Sequence, residues 1–172
     1  IILRLLIPFS IRRWPFWGGI AAMIADAFDL RLLEFFGWQR SNGIEYQSLD
    51  KLLDTYYLAF EWTVVLHILQ KEKLLRRTLT GLFWWRAVGV TVFEITGARY
   101  ILPFAPNIFE YLYLLTFGAQ RYKPELVPST PKKLIIALIL ISPIKIIHEY
   151  IMHYLEYPLG LGRIWDLTKA AI

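Results

Sequence analysis

The chain has no cysteine, two methionines and three histidines in 172 residues. Without thiolates there can be no disulfide, zinc ribbon, cysteine nucleophile or cysteine-held iron–sulfur cluster. Charge is also scarce: Asp, Glu, Lys and Arg make up 19% of the residues, against about a quarter in an ordinary globular domain. The sequence holds no phosphate loop, no hydride-cofactor fingerprint and no motif that sets a nucleophile beside a base, so it reads as non-enzymatic. Its net charge of +5 comes from basic residues set between apolar blocks and not along one face, which argues against a nucleic-acid partner.

What is abundant is apolar: 56% of the residues are hydrophobic and 16% aromatic. They gather in blocks about as long as the roughly 20 residues a helix needs to cross a bilayer. The expectation is one all-α domain over residues 1–172, a polytopic transmembrane helical bundle of five spans near 14–38, 54–70, 78–102, 104–120 and 133–157. The breaks are "SNG" at Ser41–Gly43, the basic "KEKLLRR", "PFAPN" with Pro103 and Pro106, and "KPELVPSTP". The opening segment, where Arg4, Arg12 and Arg13 alternate with apolar residues, reads as an interfacial amphipathic helix and not as a signal peptide. Trp14, Trp17, Trp38, Tyr56, Tyr57, Tyr122 and Tyr157 lie near block ends, as in an interfacial aromatic belt.

Orientation follows from the basic residues. Arg4, Arg12, Arg13, Lys71, Lys73, Arg76, Arg77, Arg121, Lys123, Lys132 and Lys133 fall on one side of the expected bundle, and only Arg40, Lys51, Arg99, Arg163 and Lys169 on the other. The positive-inside rule then predicts N-in/C-out in a bacterial inner membrane, surrounded by membrane lipids.

Several charges sit inside the blocks. Within "KIIHEYIMHYLE", Lys145, His148, Glu149, His153 and Glu156 step by three and four along one helix face, with Ile144, Ile147, Ile151 and Leu155 opposite. An isolated charge at the bilayer centre costs about 3 kcal/mol on insertion scales, so this stripe is expected to face protein, water or other charges. Glu61, Arg86, Glu94 and Glu110 lie in the other blocks, and Arg99 at a turn. Arg86 stays charged and its fork suits a carboxylate, so it is expected to pair with Glu61, Glu94 or Glu110. Such a network either fixes helix register or forms a proton or ion pathway. The histidines of "HEYIMH" are five apart, about 140° around a helix, so they are not a zinc pair. His67 and His153 fall at opposite depths, which argues against haem.

Asp26 and Asp29 are three apart, and Asp50 and Asp54 four apart; a helical hairpin would bring all four to one place, as a divalent metal requires. Here the chain resembles the CDP-alcohol phosphatidyltransferases, whose motif runs DxxDG and then DxxxD. That resemblance implies that Asp26, Asp29, Asp50 and Asp54 hold the metal and that Asp54 is the base of a lipid-headgroup phosphotransferase. Leu30 replaces the motif glycine, and the Ala-Arg pair for the nucleotide is absent. A broader resemblance covers Arg86, Gly89, Phe93, Glu94, Thr96, Gly97 and Arg99, followed by Pro106, Asn107, Phe109 and Glu110. It is to an uncharacterised family of bacterial multi-pass membrane proteins and implies no activity. Physically, Gly89 allows close helix approach, Gly97 and Pro103 bracket a short turn, and Asn107 can cap the helix after it. Three functions stay open: a non-catalytic subunit or scaffold, an ion or proton transporter, and a metal-dependent phosphotransferase. The first leads, with other membrane-protein subunits or a second copy as partner, because little chain lies outside the blocks.

Overall fold

The computed structural model describes residues 2–35 and 44–153, with side chains over 2–26, 51–98 and 101–147. Two short helices, α1 (Ile2–Leu6) and α2 (Pro8–Ile11), lead into α3 (Pro15–Phe35). Then come α4 (Ile44–Ile68), α5 (Lys73–Thr96), α6 (Ile108–Tyr122) and α7 (Pro131–His153), with 3-10 turns at Arg99–Phe104 and Pro124–Leu126.

Local chemistry sets the boundaries. α5 stops at Gly97, whose φ of 67° is left-handed and whose N–H donates to the Phe93 carbonyl at 2.7 Å. Glycine takes that conformation without the steric cost a Cβ would bring. The Asn107 side chain accepts from the Glu110 N–H at 3.3 Å and so caps α6, as its place after Pro106 suggests. Pro15 and Pro131 open α3 and α7, where their missing N–H costs nothing.

α6 packs against α3, α5 and α7, and α4 lies along α5. Leu58, Val65, Leu75, Leu79, Leu112 and Phe117 fill the space between them. Phe83 stacks on Trp62 at 4.9 Å and meets Phe109 edge-on at 5.6 Å. At Gly89 a Cβ would lie 2.2 Å from the Ala105 Cβ, so the close approach expected there is made by the turn that follows α5.

One expectation is corrected. Among the described residues, no helix is long and apolar enough to cross a membrane. α6 has 15 residues, about 22 Å at 1.5 Å each, short of a hydrocarbon core of about 30 Å. α4 carries Lys51, Asp54 and Glu61; α5 carries Arg76, Arg77, Arg86 and Glu94; Pro143 and Lys145 interrupt the apolar run of α7. The blocks are apolar on average but not continuously so. The transmembrane bundle of five spans, its N-in/C-out orientation and the inner-membrane placement are overturned together.

The N-terminal segment is two short helices docked on the bundle, with Ile2, Leu3, Leu6 and Phe9 exposed. α1 and α2 pack against α3 and α4, and Ile11 is fully buried. Gly18 makes this possible, because a Cβ there would stand 2.6 Å from the Ile11 backbone.

Candidate functional site

Asp54, Tyr57 and Glu61 are spaced by three and four on α4, so they share one face, and all three are buried. This face meets α1, α3 and α6, and the polar groups collected along it form the most concentrated chemistry in the described structure.

At one end, Arg4 of α1 is only 4% exposed. Its Nη2 bonds to Asp26 of α3 and to Asp54 of α4, the latter at 2.7 Å. Lys51 adds a contact to the second Asp54 oxygen at 3.2 Å. A guanidinium thus occupies the place between two of the four aspartates assigned to a metal. Burial pushes the Asp54 carboxyl up, but Lys51, Arg86 and Arg4 outweigh it and hold the group below its ordinary value. The side chains of Asp29 and Asp50 lie outside the described residues. Among the described residues, no group of three or more His, Asp or Glu is placed to hold a metal ion.

The middle of the ladder is Glu110 of α6. The Tyr57 hydroxyl donates to its Oε1 at 2.8 Å and the Asn107 amide to its Oε2 at 2.9 Å. Asn107 therefore has two roles, capping the helix and satisfying its first carboxylate. Lys145 of α7 is turned inward over the Tyr111 ring at 4.7 Å. Burial raises Glu110, while the Tyr57 hydrogen bond, Lys145 and Arg86 pull it back, leaving it above its ordinary value. Tyr57 is itself raised, by burial and by the Glu110 charge. Arg86 Nη1 donates to the Ala105 carbonyl at 2.8 Å and bridges α5 to the turn that precedes α6.

Glu61 stands apart. It is 0% exposed, and neither carboxyl oxygen has a hydrogen-bond partner among the described residues. A Cβ at Gly19 would lie 2.9 Å from Glu61 Oε1, with Leu114 and Tyr113 also close. Burial in these apolar surroundings and the nearby Glu110 raise Glu61 well above its ordinary value, which favours its neutral form. The Thr116 hydroxyl is also buried without a partner among the described residues.

Of the expected network, the structure brings Glu61, Arg86, Glu110 and Lys145 into the interior and leaves Glu94 half-buried on α5. Arg99 lies in the turn and His148, Glu149 and His153 on α7, but their side chains, and the whole of Glu156, lie outside the described residues. The residues missed were Arg4, Lys51, Tyr57 and, as a carboxylate partner, Asn107. Arg4 is expected in an interfacial segment, Lys51 between the first two spans and Tyr57 in an aromatic belt; Tyr57 is 4% exposed and points into the core. The spacing of Asp54, Tyr57 and Glu61 was the signal that could have found the ladder. Among known families, curated proteins and solved structures, none matches the chain.

Proposed function

We propose that the protein is a non-catalytic subunit of a larger protein assembly, and that apolar helices of another chain cover the outer faces of α5 and α7. The observation that carries this reading is an inverted polarity. Within 78–93 the one charged residue is Arg86, and within 134–147 it is Lys145; both are buried. The large side chains turned outward are apolar, and the exposed Thr91 hydroxyl is tied back to the Ala87 carbonyl. On α5 they are Trp84, Trp85, Val88, Val92 and Ile95; on α7, Ile135, Ile136, Ile139, Leu140, Ile144 and Ile147 are exposed.

The two faces are linked through the turn Arg99–Phe104, against which both helices pack. There Phe104 is exposed and its carbonyl accepts from Trp85 Nε1 at 3.0 Å. From Ile135 to Ile147 the α7 stripe runs about 18 Å. Contiguous apolar surface on this scale is what protein–protein contacts cover, and its three- and four-residue spacing suits the ridges of a packed helix. The interior polar groups support the reading as well, since their hydrogen bonds and ion pairs tie α1, α3, α4 and α6 to one another.

The test is to purify the wild type and a Val88→Glu/Ile139→Glu variant under native conditions and measure mass by light scattering. Wild type is expected in a fixed ratio with one other chain, and the variant, with unchanged circular dichroism, free of it. A monodisperse wild-type monomer that the double substitution leaves unchanged in detergent-free buffer would overturn the proposal.

A further inference from the structure

A cavity of about 270 Å³ opens where the start of α3 meets the ends of α4 and α6. Arg13 reaches its wall from the α2–α3 junction, and Gln120 and Arg121 from the last turn of α6; Trp14, Trp17 and Phe117 supply aromatic surface. Among the described residues that line it there is no carboxylate. Two arginines therefore line one largely aromatic space whose described lining holds no counter-charge, and the Arg121 guanidinium lies over the Tyr122 ring, 5.7 Å from its centre.

The surroundings reinforce that charge. The neighbouring connections 69–77 and 121–133 hold eight Lys or Arg against two acids, Glu72 and Glu125. A cleft with one sign of charge concentrates counter-ions. Paired arginines with apolar walls are suited to a planar or tetrahedral oxyanion carried on an apolar body. The volume is just below the roughly 300–1,000 Å³ of ordinary ligand clefts, so it fits one headgroup or one ring and not a dinucleotide.

We infer that this cavity binds the phosphate group of a small organic phosphate, with Arg13 and Arg121 holding the oxygens and Trp14 and Trp17 covering the apolar part. Free phosphomonoesters and lipid headgroups share that chemistry. The site rests on other residues than the α5 and α7 faces and stands independently of the subunit reading.

The probes are phenyl phosphate and inorganic phosphate in calorimetric titrations, and phosphatidylcholine vesicles with and without phosphatidic acid in co-sedimentation. Wild type should bind phenyl phosphate more tightly than inorganic phosphate. Arg13→Gln and Arg121→Gln, both at exposed positions where the fold is retained, should each weaken binding by about tenfold. Lys132→Gln, the same charge change at the same end but outside the cavity, should change it by less than about twofold. Trp14→Leu should remove the advantage of phenyl phosphate. Binding only to phosphatidic acid vesicles, with the same dependence on both arginines, supports the site and identifies a lipid headgroup as the source. Binding to neither probe, binding insensitive to both arginines, or an equal loss in Lys132→Gln overturns it.

Discussion

Asp54 and Glu61 lie two turns apart on one face of α4, and both are buried, yet their carboxyls are shifted in opposite directions. Asp54 has Arg4 and Lys51 on its oxygens and is pulled below its ordinary value; Glu61 has no hydrogen-bond partner among the described residues and is pushed above its own. The two differ by one methylene, so residue type does not explain the contrast. The neighbours do: Lys51, one turn earlier on α4, lowers Asp54 most, followed by Asp26 of α3, Arg86 of α5 and Arg4 of α1. Arg4 bonds to Asp54, whereas the Glu61 carboxyl lies against Gly19. Burial alone therefore says little about charge in this interior; what decides it is whether cations and hydrogen-bond donors stand beside the carboxyl.

The contrast is broken most severely at Arg4. Arg4→Met should lower unfolding free energy by about 3–5 kcal/mol in urea titrations, because it strands Asp26 and Asp54 without their shared cation. Adding Asp26→Asn and Asp54→Asn should recover much of the loss. Glu110→Gln comes next, at about 1–3 kcal/mol, since its amide must present a donor to Tyr57 or Asn107, which both donate already.

Glu61→Gln should act in the other direction and only over part of the pH range. With its folded value raised, wild-type Glu61 contributes stability that is complete below its ordinary value of 4.5 and is lost as pH rises through the folded value. The glutamine variant has no such loss. Its Tm should match wild type near pH 4 and exceed it by about 2–4 °C at pH 8, as about 1 kcal/mol does for a chain of this size. Equal pH profiles would show that Glu61 is paired after all. Asp54 gives the opposite limb: its stabilisation is present above 3.8 and is lost as pH falls through its depressed value. Lys51→Met, the smallest change, should cost about 1 kcal/mol or less and move that acid limb to higher pH.

The sequence showed the helices well and their partners poorly. The run of "LIIALILIS" and the prolines around it placed α7, and the three- and four-residue steps turned Lys145 inward and Ile144 and Ile147 outward, as observed. The start of α4 was set ten residues late, at 54 instead of Ile44, because "IEYQSLDK" is polar and its contribution to the helix becomes clear only when Asp54 is paired. The ladder was half legible. Glu61, Arg86, Glu110 and Lys145 stood out as charges in apolar blocks, but Arg4 looked like one more basic residue of an interfacial segment. Its partner is 50 positions away, and no local pattern carries that information. The membrane reading failed for a related reason: average hydropathy measures how apolar a segment is, whereas crossing a bilayer requires an unbroken length.

The same separation between Arg4 and Asp54 has a consequence for the order of assembly. A ribosome releases Arg4 long before α4 exists, so the guanidinium must wait in solvent while fifty residues are added. Ile11 cannot settle against Gly18 in its final place until α3 has formed, and the Arg4 pair cannot close until α4 follows. Closing so long a loop costs entropy before any contact repays it. Residues made before α3 and α4 are thus among the last secured, and the arm formed by α1 and α2 acts as a latch, its engagement reporting that α3 and α4 are already in register.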